Sequence, residues 1–192
     1  MDNLGVIVPF YNEKNTLAES IERLLTQNIF SEIILSDDNS NDGSDIIAKH
    51  YQDKNQNIKY IKSSTNKGKG NALNNAKDYI TTKFVVIHDA DLEYFPEDLV
   101  EMFEKAKLNP QSLIIGSRFI GNKERVNIYR RTFIANKVMS LFFSFIHFCK
   151  ISDIATCYKM LKTDTFKEIQ LYENGFSIEI ELVSKFLKKN KS

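Results

Sequence analysis

Phe84-Val85-Val86-Ile87-His88-Asp89-Ala90-Asp91-Leu92-Glu93 is an apolar, β-branched run that ends abruptly in carboxylates. Such a run suits a strand buried in a sheet. Two carboxylates one residue apart at the end of a buried strand repel each other and are costly to desolvate unless a cation neutralises them. Asp89 and Asp91 therefore read as a metal site. Hard oxygen ligands favour Mg²⁺ or Mn²⁺, and Mg²⁺ commonly completes its shell with water and substrate phosphates. The expected substrate carries a diphosphate.

Further strand-like runs occupy Gly5–Val8, Glu32–Ser36, Ile58–Ile61 and Leu113–Ile115, with helical patterns between them. Thr16–Gln27 sets Leu17, Ile21, Leu24 and Leu25 on one face behind Asn15 as a cap. Ser44–Gln52 turns Ile46, Ile47 and Tyr51 inward, and Gly70–Ile80 carries Leu73, Ala76 and Ile80. In Pro96–Lys107 the proline suits a first helical turn. This β-α-β-α order predicts an α/β fold, a mostly parallel Rossmann-like sheet with helices on both faces, whose ligands gather beyond the carboxyl ends of the strands. No repeat, low-complexity tract or Pro/Gly-rich linker divides the sequence, so residues 1–192 are expected to form one domain.

Lys and Arg number 26 against 25 Asp and Glu, a net charge of +1 that argues against a nucleic-acid partner. At 42% apolar, with 14 Phe and 8 Tyr, the chain has material for a packed core and is too apolar for disorder. Cys149 and Cys157 form neither a CxxC pair nor a Cys/His ligand set, which suits a reducing compartment. The opening MDNLGVIVPFYNE enters a strand pattern without a basic leader or long apolar stretch, so a cytoplasmic location is expected. Val138–Cys149 is apolar but only twelve residues long, short of the roughly 20 that a spanning helix needs.

Polar clusters follow the strands. Pro9-Phe10-Tyr11-Asn12-Glu13 comes after the first, and Ser36-Asp37-Asp38-Asn39-Ser40-Asn41-Asp42-Gly43 after the second. Taken alone, the second reads as a tight turn capping the next helix, since Asp, Asn, Ser and Gly are ordinary turn formers. Asn66-Lys67-Gly68-Lys69-Gly70 opens a helix where free backbone N–H groups and a lysine could meet an anion. It lacks the Walker spacing, and a solvated turn is the plainer reading.

In order, VPFYNE, DDNSNDGS, NKGKGNAL, DADLEYFPEDL and GSRF resemble the motifs of family 2 inverting glycosyltransferases of the GT-A nucleotide-sugar fold, closest to the dolichyl or polyprenyl phosphate hexose synthases. The resemblance runs from Val6 to about Leu187. It implies metal-dependent transfer of a hexose from a UDP- or GDP-sugar to a polyprenyl phosphate, with Mg²⁺ or Mn²⁺, at the inner face of a membrane. Residues 1–116 would form the nucleotide-sugar half and 117–192 the acceptor half, shortened relative to many family members. Two alternatives stay open: the same donor with a saccharide hydroxyl acceptor, and a catalytically silent nucleotide-sugar-binding module.

By the same resemblance, Pro9, Tyr11 and Glu13 line the base and ribose, Asp38 accepts a hydrogen bond from the base, and Lys69 and Asp89 complete the nucleotide site. Asp89, Asp91 and Glu93 hold the metal, Asp91 directly; related mannosyl enzymes often carry Gln where Glu93 stands. Arg118, Arg130 and Arg131 bind the acceptor phosphate, guanidinium forks matching phosphate oxygens. SDIATCYKML retains Asp153, Thr156 and Lys159 of a family segment, with Cys157 in place of Gly. Asp91, Arg118 and Glu179 are the implied catalytic residues. Glu179 matches a general base, which a hydroxyl acceptor needs; a phosphate monoester, with a second pKa of about 6, is already largely anionic. Alternatively Glu179 and Glu181 form an exposed face while Ile178, Leu182, Val183 and Phe186 pack inward.

Arg130–Phe148 reads as one helix, with Phe133, Ile134, Val138, Leu141, Phe142, Phe145 and Ile146 on a broad apolar face and Arg130, Arg131 and Lys137 near its start. That face is either core or a shallow membrane contact.

Overall fold

The computed structural model describes residues 2–120, 130–175 and 177–189, apart from the side chains of Arg130 and Thr132. Strands β1 (Leu4–Phe10), β2 (Phe30–Asp37), β3 (Ile58–Lys62) and β4 (Phe84–Ile87) run parallel. With β5 (Ile114–Ile115) and β6 (Lys159–Lys162) they form a six-stranded sheet of order β3-β2-β1-β4-β6-β5. The helices are α1 (Leu17–Thr26), α2 (Ser44–Lys54), α3 (Lys69–Ala76), α4 (Asp98–Leu108), α5 (Arg130–His147), α6 (Thr163–Glu168) and α7 (Ile178–Lys189).

The pleat sends alternate residues of β1 to opposite faces. Leu4, Val6 and Val8 pack with Leu17, Ile21 and Leu24 of α1 and Leu99 of α4. Ile7 joins Leu73 of α3, Phe166 of α6 and Leu182 of α7 on the other side. Helices thus cover both faces, as the alternation of elements predicts. β6, antiparallel to both β4 and β5, is not legible in the sequence. Its four residues, KMLK, carry lysines at both ends, and only pairing with β4 makes them a strand.

Three local expectations are corrected. Ile46 is 69% exposed: it lies about 100° round the helix from Ile47, which packs against the core, and on the solvent side of it. The cap of α1 is Thr16 rather than Asn15: Thr16 Oγ1 donates to Glu13 Oε2 at 2.7 Å, and the Thr16 and Leu17 amides donate to the Glu13 carbonyl. The core alternative for α5 fails. Asn136, Ser140 and Phe143 face inward, whereas Ile134, Val138, Leu141, Phe142 and Phe145 are exposed. Among the described residues no helix is long and apolar enough to cross a membrane.

Two packing features position the strand ends. The segment 171–175 lies across the first turn of α3, where the Gly70 amide donates to the Asn174 carbonyl at 3.0 Å. A Cβ on Gly70 would be driven into the Glu173 carbonyl. At the end of β4, His88 is buried between Ser20 Oγ, 3.0 Å from Nε2, and the Tyr158 hydroxyl, 3.0 Å from Nδ1. Burial pushes its imidazole down to about 3, so the folded chain keeps it neutral.

Gly70→Ala is expected to cost about 3 kcal/mol, the upper end for overpacking, measured by urea denaturation. The unfolded chain protonates His88 near 6.5 and the folded chain only near 3, so stability falls as pH drops below the higher value. Between about pH 7 and about pH 5 wild type should lose roughly 2 kcal/mol more than His88→Gln. Equal losses in denaturant titrations would contradict a neutral buried imidazole.

Candidate functional site

β1 is flanked by β2 on one side and β4 on the other, so the strand order reverses at its carboxyl end and opens a crevice there. Two turns are stitched together at its edge. Asn12, in the left-handed region at φ 58°, donates its amide to Ser40 Oγ at 2.9 Å, and its side-chain oxygen accepts the Asn41 amide at 3.0 Å. Asp37 is fully buried, accepting from the Ser40 amide and the Tyr60 hydroxyl, while Asp42 takes the Ser44 and Lys14 amides. Most of DDNSNDG is therefore turn and cap chemistry, as its composition alone suggests.

Asp38 is different. It borders the crevice, yet its Oδ2 accepts the amides of Lys67, at 2.9 Å, and Gly68, and its Oδ1 accepts Asn71 Nδ2 at 2.9 Å. This bears against the anion-cradle alternative for NKGKG. The amides of Lys67 and Gly68 are spent on Asp38, and that of Gly70 on Asn174. The glycines serve geometry instead: Gly68 has a φ of 99°, and both it and Gly70 lie against the backbone of Glu173 and Asn174.

Lys69 turns its ammonium toward carboxylates. Its Nζ lies 2.6 Å from Asp89 Oδ1 and 2.6 Å from Glu179 Oε1. Burial opposes that charge, but Asp89 and then Glu179 outweigh it and hold the ammonium above its ordinary range. Glu179 Oε2 lies 2.6 Å from Lys159 Nζ, which is fully buried on β6 and also donates to the carbonyls of Ile154 and Thr156. Burial would raise the Glu179 pKa, but Lys159 and Lys69 lower it. Glu179 is 4% exposed, so the exposed-face alternative is overturned, while Ile178, Leu182, Val183 and Phe186 do pack inward.

Beyond β4, Leu92 stands in the left-handed region at φ 64°, a strained setting for a branched side chain. The bend returns the Glu93 amide to Asp91 Oδ1 at 3.0 Å. Burial, and then the neighbouring Asp89 charge, push Asp91 up to about 6. Lys69 pairs with Asp89, and Asp91 stands beside it at the cavity; the hard oxygens of the two fit Mg²⁺ or Mn²⁺. Glu93 does not complete a cluster with them: its Oε2 lies 3.9 Å from Arg118 Nη1, and no group of three potential ligands gathers among the described residues.

A cavity of about 330 Å³ collects the strand-end residues: Pro9, Tyr11, Glu13 and Asp38 line it together with Lys69, Asp89 and Asp91. Arg118 borders a separate cavity of about 440 Å³ with Glu93, Tyr94 and Tyr158. Its fork grips Asp153, Nε at 2.9 Å and Nη2 at 3.1 Å, and Asn136 Nδ2 donates to the same carboxylate at 2.6 Å. Arg131 is exposed on the first turn of α5, and the Arg130 side chain lies outside the described residues. Asn136 and the Lys159–Glu179 pair carry no local signal, since their partners are far along the chain.

Residues 5–170 match the sequence profile described as Glycosyl transferase family 2. Over 189 residues the chain is 26% identical to glycosyltransferase AglJ of Haloferax volcanii, covering 98% of this chain and 59% of that protein. Over 186 residues it is 27% identical to dolichol-phosphate mannosyltransferase of Pyrococcus furiosus, covering 95% of this chain and 52% of that protein. It therefore spans between half and three-fifths of these relatives. In fold it superposes on glucosyl-3-phosphoglycerate synthase of Mycobacterium tuberculosis, with a TM-score of 0.74 at 16% identity, over 98% of this chain and 65% of that one. The chain belongs to glycosyl transferase family 2.

Proposed function

We propose that this chain transfers a hexose, with inversion, from a UDP- or GDP-sugar to a polyprenyl phosphate at the inner face of a membrane. The observation that carries the donor half is the 330 Å³ cavity, where Pro9, Tyr11, Glu13 and Asp38 meet Lys69, Asp89 and Asp91. Tyr11 and Pro9 offer flat apolar surface to a base, and the carboxylates offer oxygen ligands. Asp89 and Asp91 would hold Mg²⁺ or Mn²⁺, which when bound offsets the charge that develops on a departing diphosphate. The manganese and UDP in the mycobacterial structure support this reading.

The environment of Glu179 supports a phosphate acceptor. A carboxylate pinned between two ammonium groups and held below its usual range is a poor general base. A phosphate acceptor needs none, and the likeness to a dolichol-phosphate mannosyltransferase agrees with that choice. An acceptor phosphate oxygen would attack the anomeric carbon as the bond to the donor diphosphate breaks, and the nucleoside diphosphate leaves with the electron pair. Arg118 and Arg131, with Arg130, are the cations proposed to orient that phosphate.

Membrane contact rests on α5, whose exposed Ile134, Val138, Leu141, Phe142 and Phe145 accompany Arg131 and Lys137. Apolar side chains beside cations suit the headgroup boundary of an anionic bilayer.

Calorimetric titration should show one of UDP and GDP binding only with Mn²⁺. Asp91→Asn should weaken that binding by more than about 100-fold, beyond the effect of losing an outer-shell partner; metal-independent binding would refute the donor reading. Wild type should sediment with anionic vesicles and transfer sugar to polyprenyl phosphate within them. Phe142→Ser with Phe145→Ser should abolish sedimentation without lowering the melting temperature, because both side chains are exposed. Transfer to a saccharide but not to polyprenyl phosphate would establish the hydroxyl acceptor instead.

A further inference from the structure

Lys159, Glu179, Lys69 and Asp89 form a chain of alternating charge from the core to the cavity wall, with side-chain exposures of 0%, 5%, 12% and 20%. Two ammonium groups and two carboxylates make it neutral. Each inner member touches a partner on either side: Lys69 Nζ is 2.6 Å from both Asp89 Oδ1 and Glu179 Oε1, and Glu179 Oε2 is 2.6 Å from Lys159 Nζ. The Asp89 end opens on Asp91 and the cavity. Asp89 therefore already holds a cation, and that cation belongs to the protein.

A divalent ion on Asp89 would bring a second cation to a carboxylate that Lys69 already holds, and two like charges that close repel each other, the more so out of bulk water. Resting on the metal reading above, we infer that Lys69 is the resident counter-cation of Asp89, and that the divalent ion is gained by exchange. Asp89 passes from ammonium to metal, while Glu179 keeps the ammonium. Without Glu179 the released lysine would be left buried and unpaired, the costly half of a broken ion pair. Lys159 anchors Glu179 for that task through its contacts to the carbonyls of Ile154 and Thr156. Glu179 and Lys159 are thus positioning residues, and Lys69 sets the affinity of the site for metal.

Mn²⁺ binding without nucleotide, followed by the electron paramagnetic resonance signal of the free ion, separates this from a purely structural ion-pair network. Lys69→Met should tighten Mn²⁺ binding by about tenfold by removing the competitor, and Glu179→Gln should weaken it by about tenfold by leaving Lys69 to Asp89 alone. In Lys69→Met the Glu179→Gln change should lose its effect, since the two act through one ammonium. Additive effects, or unchanged binding in Lys69→Met, would overturn the exchange. Should Lys69→Met fail to fold by its melting curve, Glu179→Gln decides alone, and unchanged or tighter binding there refutes the inference. If wild type binds no Mn²⁺ even with UDP or GDP present, the metal reading falls and the exchange with it. If wild type binds and the variants do not differ, only the exchange falls.

Discussion

A charge that is nearly out of water must be paired, and Lys69 is paired twice, with Asp89 and with Glu179. That requirement fixes the relation of four elements. Lys69 opens α3, Asp89 ends the β4 run, Glu179 belongs to the first turn of α7, and Lys159 on β6 holds Glu179 from behind. The hydrophobic contacts of Leu73, Leu161, Phe166 and Leu182 supply most of the burial that brings these elements together. Apolar packing alone tolerates sliding; the ion-pair chain does not, because displacing any member leaves a buried charge alone.

The covering segment obeys the same logic by other means. Gly68 and Gly70 let residues 173–174 pass directly over the start of α3, and Asp38 fastens that start to the end of β2 through the Lys67 and Gly68 amides. Gly175 then reaches the rim of the cavity. A side chain at either glycine would lift the segment and, with it, the connection into α7 that delivers Glu179.

Features carried by local pattern were legible in the sequence. The run ending at Asp89 and Asp91, the polar ends of β1 and β2, and the α/β order follow from neighbouring residues. The Lys159–Glu179 pair was not, because an ion pair between residues 20 apart depends on which strand β6 joins, and KMLK gives no sign of it. Glu93 illustrates the opposite error: the family resemblance placed it with the aspartates, but the left-handed Leu92 redirects the chain, and Glu93 lies toward Arg118 instead. NKGKG left two readings open for a related reason, since glycines that admit an anion and glycines that admit a backbone look alike in sequence.

The inverted character of α5 has a physical origin in another buried carboxylate, Asp153. Asp153 is fully buried, and although burial would raise its pKa, the Arg118 hydrogen bonds lower it. Arg118 supplies three donors to it, counting the backbone amide, and the fourth comes from Asn136 on α5. One turn on, Ser140 Oγ accepts the Ile154 amide, and a turn beyond that Ser144 Oγ accepts the Ile151 amide. The stripe Asn136, Ser140, Ser144 recurs every fourth residue, so it occupies one face of the helix, and that face is committed to satisfying the irregular backbone around Asp153. With Asn136, Ser140 and Ser144 turned inward beside Phe143, the residues Leu141, Phe142 and Phe145 fall outside that face and are left exposed. The same helix therefore holds the carboxylate that orients Arg118 and presents an apolar surface outward. Loss of Asn136 would disturb the first role without touching the second.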